Sequence, residues 1–355
     1  MSILTRGAKA SGYFKIAFLL ALGFASNAAY AVNCYPDPSN PPLVATATLN
    51  GSITPGRDLP LGSVIYQATF NGSPDKYSSR CDFGTATYKR EFAVLPHPKS
   101  SYVDLNFGSN VYETNVAGVG VVVWYANRPL PTTDDFESSP TGANVVLVNR
   151  WFDVSFIKTG PIGAGRISAS DIPWFNFTIG DSRLLIEQGR FAGGVNIVAS
   201  TCTTPDVNVN LGDFTLDVLT GVGSTTPEVE VPVNLLNCPA FFGKFRRDRT
   251  TGTGVSTSIT ANTIDYRVDP TSTVLVPSAG VVALKSGGAT GIGVQVKDTN
   301  KAPLPFGTLR RPNLALTQVD GASYRISLWA NYYQVSANPT PGKADATVTM
   351  TLVYQ

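Results

Sequence analysis

The chain has 355 residues, of which only 15% are charged, with a formal net charge of +2, one histidine and four cysteines beside 33 glycines and 25 prolines. So balanced a chain, with no dense Lys/Arg block, has little electrostatic drive toward nucleic acid or an anionic membrane surface. The absence of CxxC and Cys/His spacings leaves zinc-site and redox readings almost no support.

Residues 1–31 place Arg6, Lys9 and Lys15 ahead of the apolar stretch 16–24 and close on Ala29-Tyr30-Ala31, the pattern of a cleavable signal peptide. That stretch is far shorter than the roughly 20 residues that cross a bilayer, and no later segment reaches such a length uninterrupted, so no membrane anchor is expected. Cleavage removes three of the 27 basic residues and none of the 25 acidic ones, leaving the mature chain near neutral. All four cysteines lie in the mature chain, one separated pair in each half. In an oxidising compartment this favours Cys34 with Cys81 and Cys202 with Cys238 over the other two pairings.

About 324 residues remain after the leader, the size of two domains. Alternating runs at 118–125, 151–157, 206–211, 228–235, 292–296, 324–334 and 344–354 predict an all-β protein of two β-sandwiches, with no amphipathic helix longer than two turns. Gly193-Gly194 reads as a joint rather than a strand, which divides the mature chain into domains 32–195 and 196–355. The Pro/Ser/Thr-rich stretches 129–141 and 336–341 read as surface loops.

Every even position from Ala344 to Tyr354 is apolar, and the odd ones are polar apart from Val353. This predicts a half-buried strand, which by its period alone is equally an ordinary edge strand of a sandwich. Gly342, fourteenth from Gln355, the alternating run and Tyr354 together resemble the C-terminal signature of chaperone–usher pilins. Further matches are Cys202 followed by Val207, Val209, Leu211 and Gly212, then Leu235-Leu236-Asn237-Cys238, and Ala330-Asn331-Tyr332-Tyr333-Gln334. The resemblance implies an incomplete immunoglobulin-like fold, one strand short, with an apolar groove beside the C-terminal strand. A periplasmic pilus chaperone would fill the groove before the outer-membrane usher passes the subunit on, and an adjacent pilin subunit would then replace it by strand addition. Gly342, Ala346, Val348, Met350, Leu352 and Tyr354 are the expected contact residues. A folded domain stands where such a pilin carries its donor extension, which implies a place at the fibre tip.

Residues 32–192 resemble, more loosely, the receptor-binding domains of fimbrial tip adhesins, the type 3 fimbrial adhesins among them. The likeness is carried by 58–65 (Asp58-Leu59-Pro60-Leu61-Gly62-Ser63-Val64-Ile65), Cys81-Asp82, Val111-Tyr112, Thr114, 118–120, 157–159, Gly163, Gly165 and Ser168. It implies attachment to host glycans or to a matrix protein such as collagen, through a pocket lined by Val64 and Val111, with Gln67 carried over by position. Val122 and Tyr125 stand where the related adhesins show basic residues. From the residues themselves, a glycan site needs hydrogen-bonding side chains beside an aromatic face, and Tyr125, Asn127 and Arg128 offer both. The competing reading buries Trp124 or Tyr125 in the core and leaves the loop merely solvated.

No enzyme, metal or cofactor is expected. A serine triad would have to recruit His97 from the loop Leu95-Pro96-His97-Pro98, and no nucleophile-elbow pattern accompanies it. Asp134, Asp135 and Glu137 crowd one loop as a solvated turn does, rather than standing apart as a glycosidase pair. A tip subunit or assembly initiator without a receptor of its own is the remaining alternative.

Overall fold

A computed structural model of the chain describes residues 31–355 except 39–40, 72–76, 104, 139–143, 148–150 and 250–254. The expected leader, apart from Ala31, lies outside the described residues. Among them the architecture is all-β, and the helical elements are three single 3-10 turns at Ala169–Asp171, Leu216–Val218 and Pro277–Ala279. Six of the seven alternating runs become strands. The seventh, 206–211, keeps a two-residue burial period but pairs with no strand.

In the N-terminal domain two sheets close on one core. The first runs in the order Thr132–Ser138, Gly84–Val94, Trp174–Ile179, Leu184–Ile197 and Gly165–Ser168, with Leu43–Leu49 and Ser52–Ile53 paired parallel to Leu184–Ile197. The second is built on Val64–Asn71, Trp151–Lys158, Val119–Tyr125 and Tyr112–Glu113. Alternate residues point inward from both, so that Phe175, Phe177 and Ile179 meet Tyr66, Phe152, Phe156 and Val123. A small third sheet joins Cys34–Pro36, Tyr77–Cys81 and Asn144–Leu147.

The C-terminal domain opposes unequal sheets. Five strands run in the order Val229–Cys238, Ala322–Gln334, Ile292–Lys297, Val281–Ala283 and Val274–Val276; facing them, among the described residues, are Ile264–Pro270 and Val348–Tyr354. Both disulfides join the expected pairs, Cys34 to Cys81 and Cys202 to Cys238. Each closes a loop long enough to stabilise its domain by roughly 4 kcal/mol through restricting the unfolded chain.

Besides Thr132–Ser138, a strand where the sequence reading expects the surface loop 129–141, two features depart from that reading. Gly193-Gly194 is not a joint. Both glycines lie inside Leu184–Ile197, Gly193 beside Leu49 and Gly194 beside Ser168. Gly193 has φ +74°, and a Cβ there would stand 2.2 Å from the Leu49 carbonyl oxygen, so close backbone approach is what requires glycine. The N-terminal core extends to Ile197 and the C-terminal core begins at Cys202, and we propose the domain boundary between them.

The second departure is that the hairpin Lys244–Arg249 and Val255–Thr260, from the C-terminal half, adds to the edge of the N-terminal domain's second sheet. Phe245, Arg246 and Arg247 pair parallel to Tyr66, Gln67 and Ala68. Phe245 stacks on Tyr66 at 5.0 Å, and Tyr66 on Phe156 at 5.1 Å, which gives the added strand an apolar anchor. The edge of Val64–Asn71 is covered in this way rather than left open.

Replacing Gly193 by alanine is expected to destabilise the mature chain by roughly 1 to 3 kcal/mol, from the strained backbone and the clash with Leu49. Urea denaturation followed by tryptophan fluorescence measures this, and an unchanged midpoint would contradict it.

Candidate functional site

The closing strand Val348–Tyr354 pairs antiparallel with Ile264–Pro270, Tyr354 opposite Ile264 and Val348 opposite Pro270. Just beyond this pairing Thr263 and Gln355 exchange both backbone bonds, at 2.9 and 3.0 Å. In an antiparallel ladder bonded and non-bonded pairs alternate, so residues 349, 351 and 353 bond toward Ile264–Pro270. The N–H and C=O groups of Val348, Met350, Leu352 and Tyr354 therefore turn to the opposite edge. There Tyr354 is met by Asp58, whose N–H donates to the Tyr354 carbonyl at 3.1 Å and whose carboxylate accepts the Tyr354 N–H at 2.9 Å. Among the described residues no strand pairs with that edge at Val348, Met350 or Leu352.

Side chains tell the same story. Val348, Met350 and Leu352 lie half-buried against the C-terminal core, together with Ala346, Leu314 and Leu316. So do Val207 and Leu211, from the alternating segment that pairs with no strand after the Thr203–Leu236 bridge. Among the described residues the N-terminal core has 32 buried members and 7 half-buried neighbours, whereas the C-terminal core has 16 and 13. The second core is thus the incompletely covered one. Tyr354 is buried; burial pushes its phenol up, partly countered by a hydrogen bond from the Cys202 backbone. Gly342 is not on the free edge. It lies against Gly288 and Ala289, where a Cβ would come within 2.7 Å of the Ala289 nitrogen.

The residues expected to bind a ligand do not converge. Val64 is exposed at the start of its strand, level with Ile157 and Gly120, and Gln67 is half-buried between Ser155 and Arg246. Asn127 and Arg128 stand beyond Phe152 and Phe70, at the other end of the same sheet. Six residues of strand separate the two ends, about 20 Å.

Val111 does not line a pocket. It is 0% exposed, sealed in a small cluster with Phe107, Val122 and Ile157 on the outer face of the second sheet. An apolar run cannot by itself distinguish such a covered face from an open one. Tyr125 is likewise core, 9% exposed, with its ring 5.5 Å from Phe177 and the Arg90 guanidinium 4.2 Å above it. Trp124 is half-buried, its indole N–H donating to Ser155 Oγ at 3.1 Å.

What remains exposed is the turn. Ala126 and Asn127 both have positive φ, 50° and 62°, and the two-residue loop joins Tyr125 to Arg128 as a primed hairpin turn suited to strand twist. Arg128 pairs with Asp134, which also receives Arg90 Nη1 at 2.6 Å. Burial opposes ionisation of Asp134, but the hydrogen bonds and charges of Arg90 and Arg128 outweigh it and hold its carboxyl below the usual value. Asp134 and Asp135 lie on a strand paired to Tyr88 and Thr87, and the Glu137 side chain lies outside the described residues. His97 Nε2 is 3.3 Å from Asp171 Oδ1. The contacts of Asp58 with Tyr354 and of Arg90 with Asp134 and Tyr125 were not legible in sequence, since the partners are remote along the chain.

The fimbrial protein family model matches residues 191–355, which takes in the whole of the C-terminal core. No curated protein matches the chain. Solved structures that the chain matches include the receptor-binding domain of the plasmid-born adhesin MrkD1P of Klebsiella pneumoniae, at 20% identity and a TM-score of 0.37. That match covers 48% of this chain and 98% of the other. The CupB6 tip adhesin of Pseudomonas aeruginosa is 16% identical at a TM-score of 0.35, with coverage of 91% and 93%. The CsuC–CsuE chaperone–tip adhesion subunit complex of Acinetobacter baumannii gives 11% identity and a TM-score of 0.24, with coverage of 90% and 100%.

Because the folded pKa of Asp134 is depressed, its stabilisation is complete above the ordinary carboxylate range and is lost as pH falls through that range toward the folded value. Asp134→Asn is expected to cost roughly 1 kcal/mol at neutral pH, allowing for solvent screening, and the cost should shrink on acidification. Thermal melts of both forms between pH 7 and pH 2 check this; a constant difference would refute it.

Proposed function

We propose that this chain is the tip adhesin of a chaperone–usher fimbrium, its C-terminal domain accepting a strand from another polypeptide and its N-terminal domain contacting a host surface. The observation that carries the reading is the free edge at Val348, Met350 and Leu352. It combines backbone groups turned away from the paired strand Ile264–Pro270 with side chains over a half-covered core. A strand laid there would satisfy those groups and bury about four alternate side chains, worth roughly 6 to 12 kcal/mol at about 1.5 to 3 each. That is comparable to the whole stability of a domain. In the periplasm the strand comes from a pilus chaperone, and after passage through the outer-membrane usher it comes from the adjacent pilin subunit.

For the N-terminal domain the ligand class is a host glycan or a matrix protein such as collagen. Asn127 and Arg128 at the exposed turn, Val64 exposed at the far end of the sheet and Gln67 half-buried midway along the same strand are the residues that support this, while Val111 and Tyr125 act from beneath by packing. The domain is read as a binding module rather than an enzyme.

Fusing a twelve-residue alternating Val/Thr strand after Gln355 through a flexible linker is expected to raise the melting temperature of the mature chain by about 10 °C or more. It should also slow amide exchange at Val348, Met350 and Leu352. No change in either would sink the strand-acceptor reading. Mature chain immobilised against glycan and collagen arrays should bind at least one ligand, with Arg128→Ala or Gln67→Ala weakening it several-fold. Binding to none would leave a structural tip subunit in place of an adhesin.

A further inference from the structure

Asp58 does for Tyr354 what a residue of a neighbouring strand would do. It donates a backbone N–H to the carbonyl and offers an oxygen to the N–H, so both groups of Tyr354 on the free edge are already taken. The loop that carries Asp58 is held in place from several directions. Thr54, 3% exposed, donates its N–H to the Gly243 carbonyl at 3.0 Å and its hydroxyl to the Ala240 carbonyl at 2.7 Å; its own carbonyl accepts Asn262 Nδ2 at 2.6 Å. Gly56 lies so close to the closing strand that a Cβ there would stand 2.4 Å from the Tyr354 carbonyl oxygen. The Lys158 ammonium, at the end of Trp151–Lys158, donates to the Arg57 carbonyl. These contacts hold the loop against Tyr354, the end of Trp151–Lys158 and the segments that carry Ala240, Gly243 and Asn262.

We infer that loop 54–58 of the N-terminal domain is an end stop for the incoming strand, with Asp58 occupying the last ladder position so that the strand pairs at Val348, Met350 and Leu352 and ends there. The inference rests on the strand-acceptor reading above and adds to it a register. The partner is an extended peptide whose alternating apolar residues run along this edge and stop at the Tyr354 end. Asp58 is the residue that specifies the stop, and Lys158 is a positioning residue acting through Arg57.

The test uses the mature full chain and fluorescein-labelled Val/Thr heptapeptides, with versions two residues longer at either end so that strand direction need not be assumed. On the wild type the longer peptide whose added residues would lie at Tyr354 should bind within about twofold of the parent, so at least one of the two shows no gain, and the Tyr354 amide should exchange slowly before any peptide is added. On Asp58→Ala the Tyr354 amide should become fast in the free chain. One longer peptide should then bind about fivefold or more tightly, the gain of one further ladder position. Asp58→Asn, which keeps an accepting oxygen, should behave as the wild type. Equal gains from lengthening on wild type and Asp58→Ala, or a large gain from both longer peptides on the wild type, would overturn the end stop; the wild-type series decides the matter even if a variant fails to fold. Peptides that protect none of Val348, Met350 and Leu352 in any form would instead remove the strand-acceptor reading and the end stop with it.

Discussion

The hydrogen-bonding parity of one antiparallel ladder governs the rest of this molecule. Once Thr263 and Gln355 form a bonded pair, every second residue of the closing strand must present its peptide group to the opposite edge. In a complete sandwich another strand would take those groups and cover the core beneath. Among the described residues Val348, Met350 and Leu352 have neither on that side, and the same core is left with 13 half-buried apolar neighbours. Unsatisfied ladder and uncovered core coincide along one line, which is the physical content of the strand-acceptor reading.

Exposure of such an edge is a liability as well as a function, and the fold limits it. One end is closed by Asp58 and the tightly bonded loop around Thr54. The other vulnerable edge, that of Val64–Asn71, is covered by the hairpin that the C-terminal half contributes. The two domains therefore exchange favours at their junction. The C-terminal half completes a sheet of the N-terminal domain, and the N-terminal domain blocks the end of the C-terminal edge. Tyr66, Phe245 and Phe156 in their stack give the first of these exchanges an apolar anchor, whereas the second is made through the hydrogen bonds of Thr54 and Asp58.

The fold class was legible because side-chain period is a local property. The alternation at 344–354 predicts one buried face whatever lies across from it, and residues 206–211 keep that alternation without any ladder at all. The candidate binding residues were legible only as types. Val111 and Tyr125 are apolar and aromatic in the way a pocket requires, but the same chemistry suits a core. The covering cluster around Phe107 and the guanidinium of Arg90 decided for the core. The glycine pair misled for a related reason: Gly193 serves close approach to Leu49, and a conformational need of that kind looks in sequence like a hinge.

Sequence by itself determined what depends on neighbours along the chain: the leader pattern, the all-β class, the cysteine pairs and the amphipathic closing strand. Tertiary structure alone decided which edge of that strand is free, that a hairpin crosses between the domains, and that Asp58 meets Tyr354 across a separation of 296 residues. A two-residue period says which way a side chain points. It cannot say what stands opposite the peptide group beside it, because that partner is chosen by the packing of the whole chain.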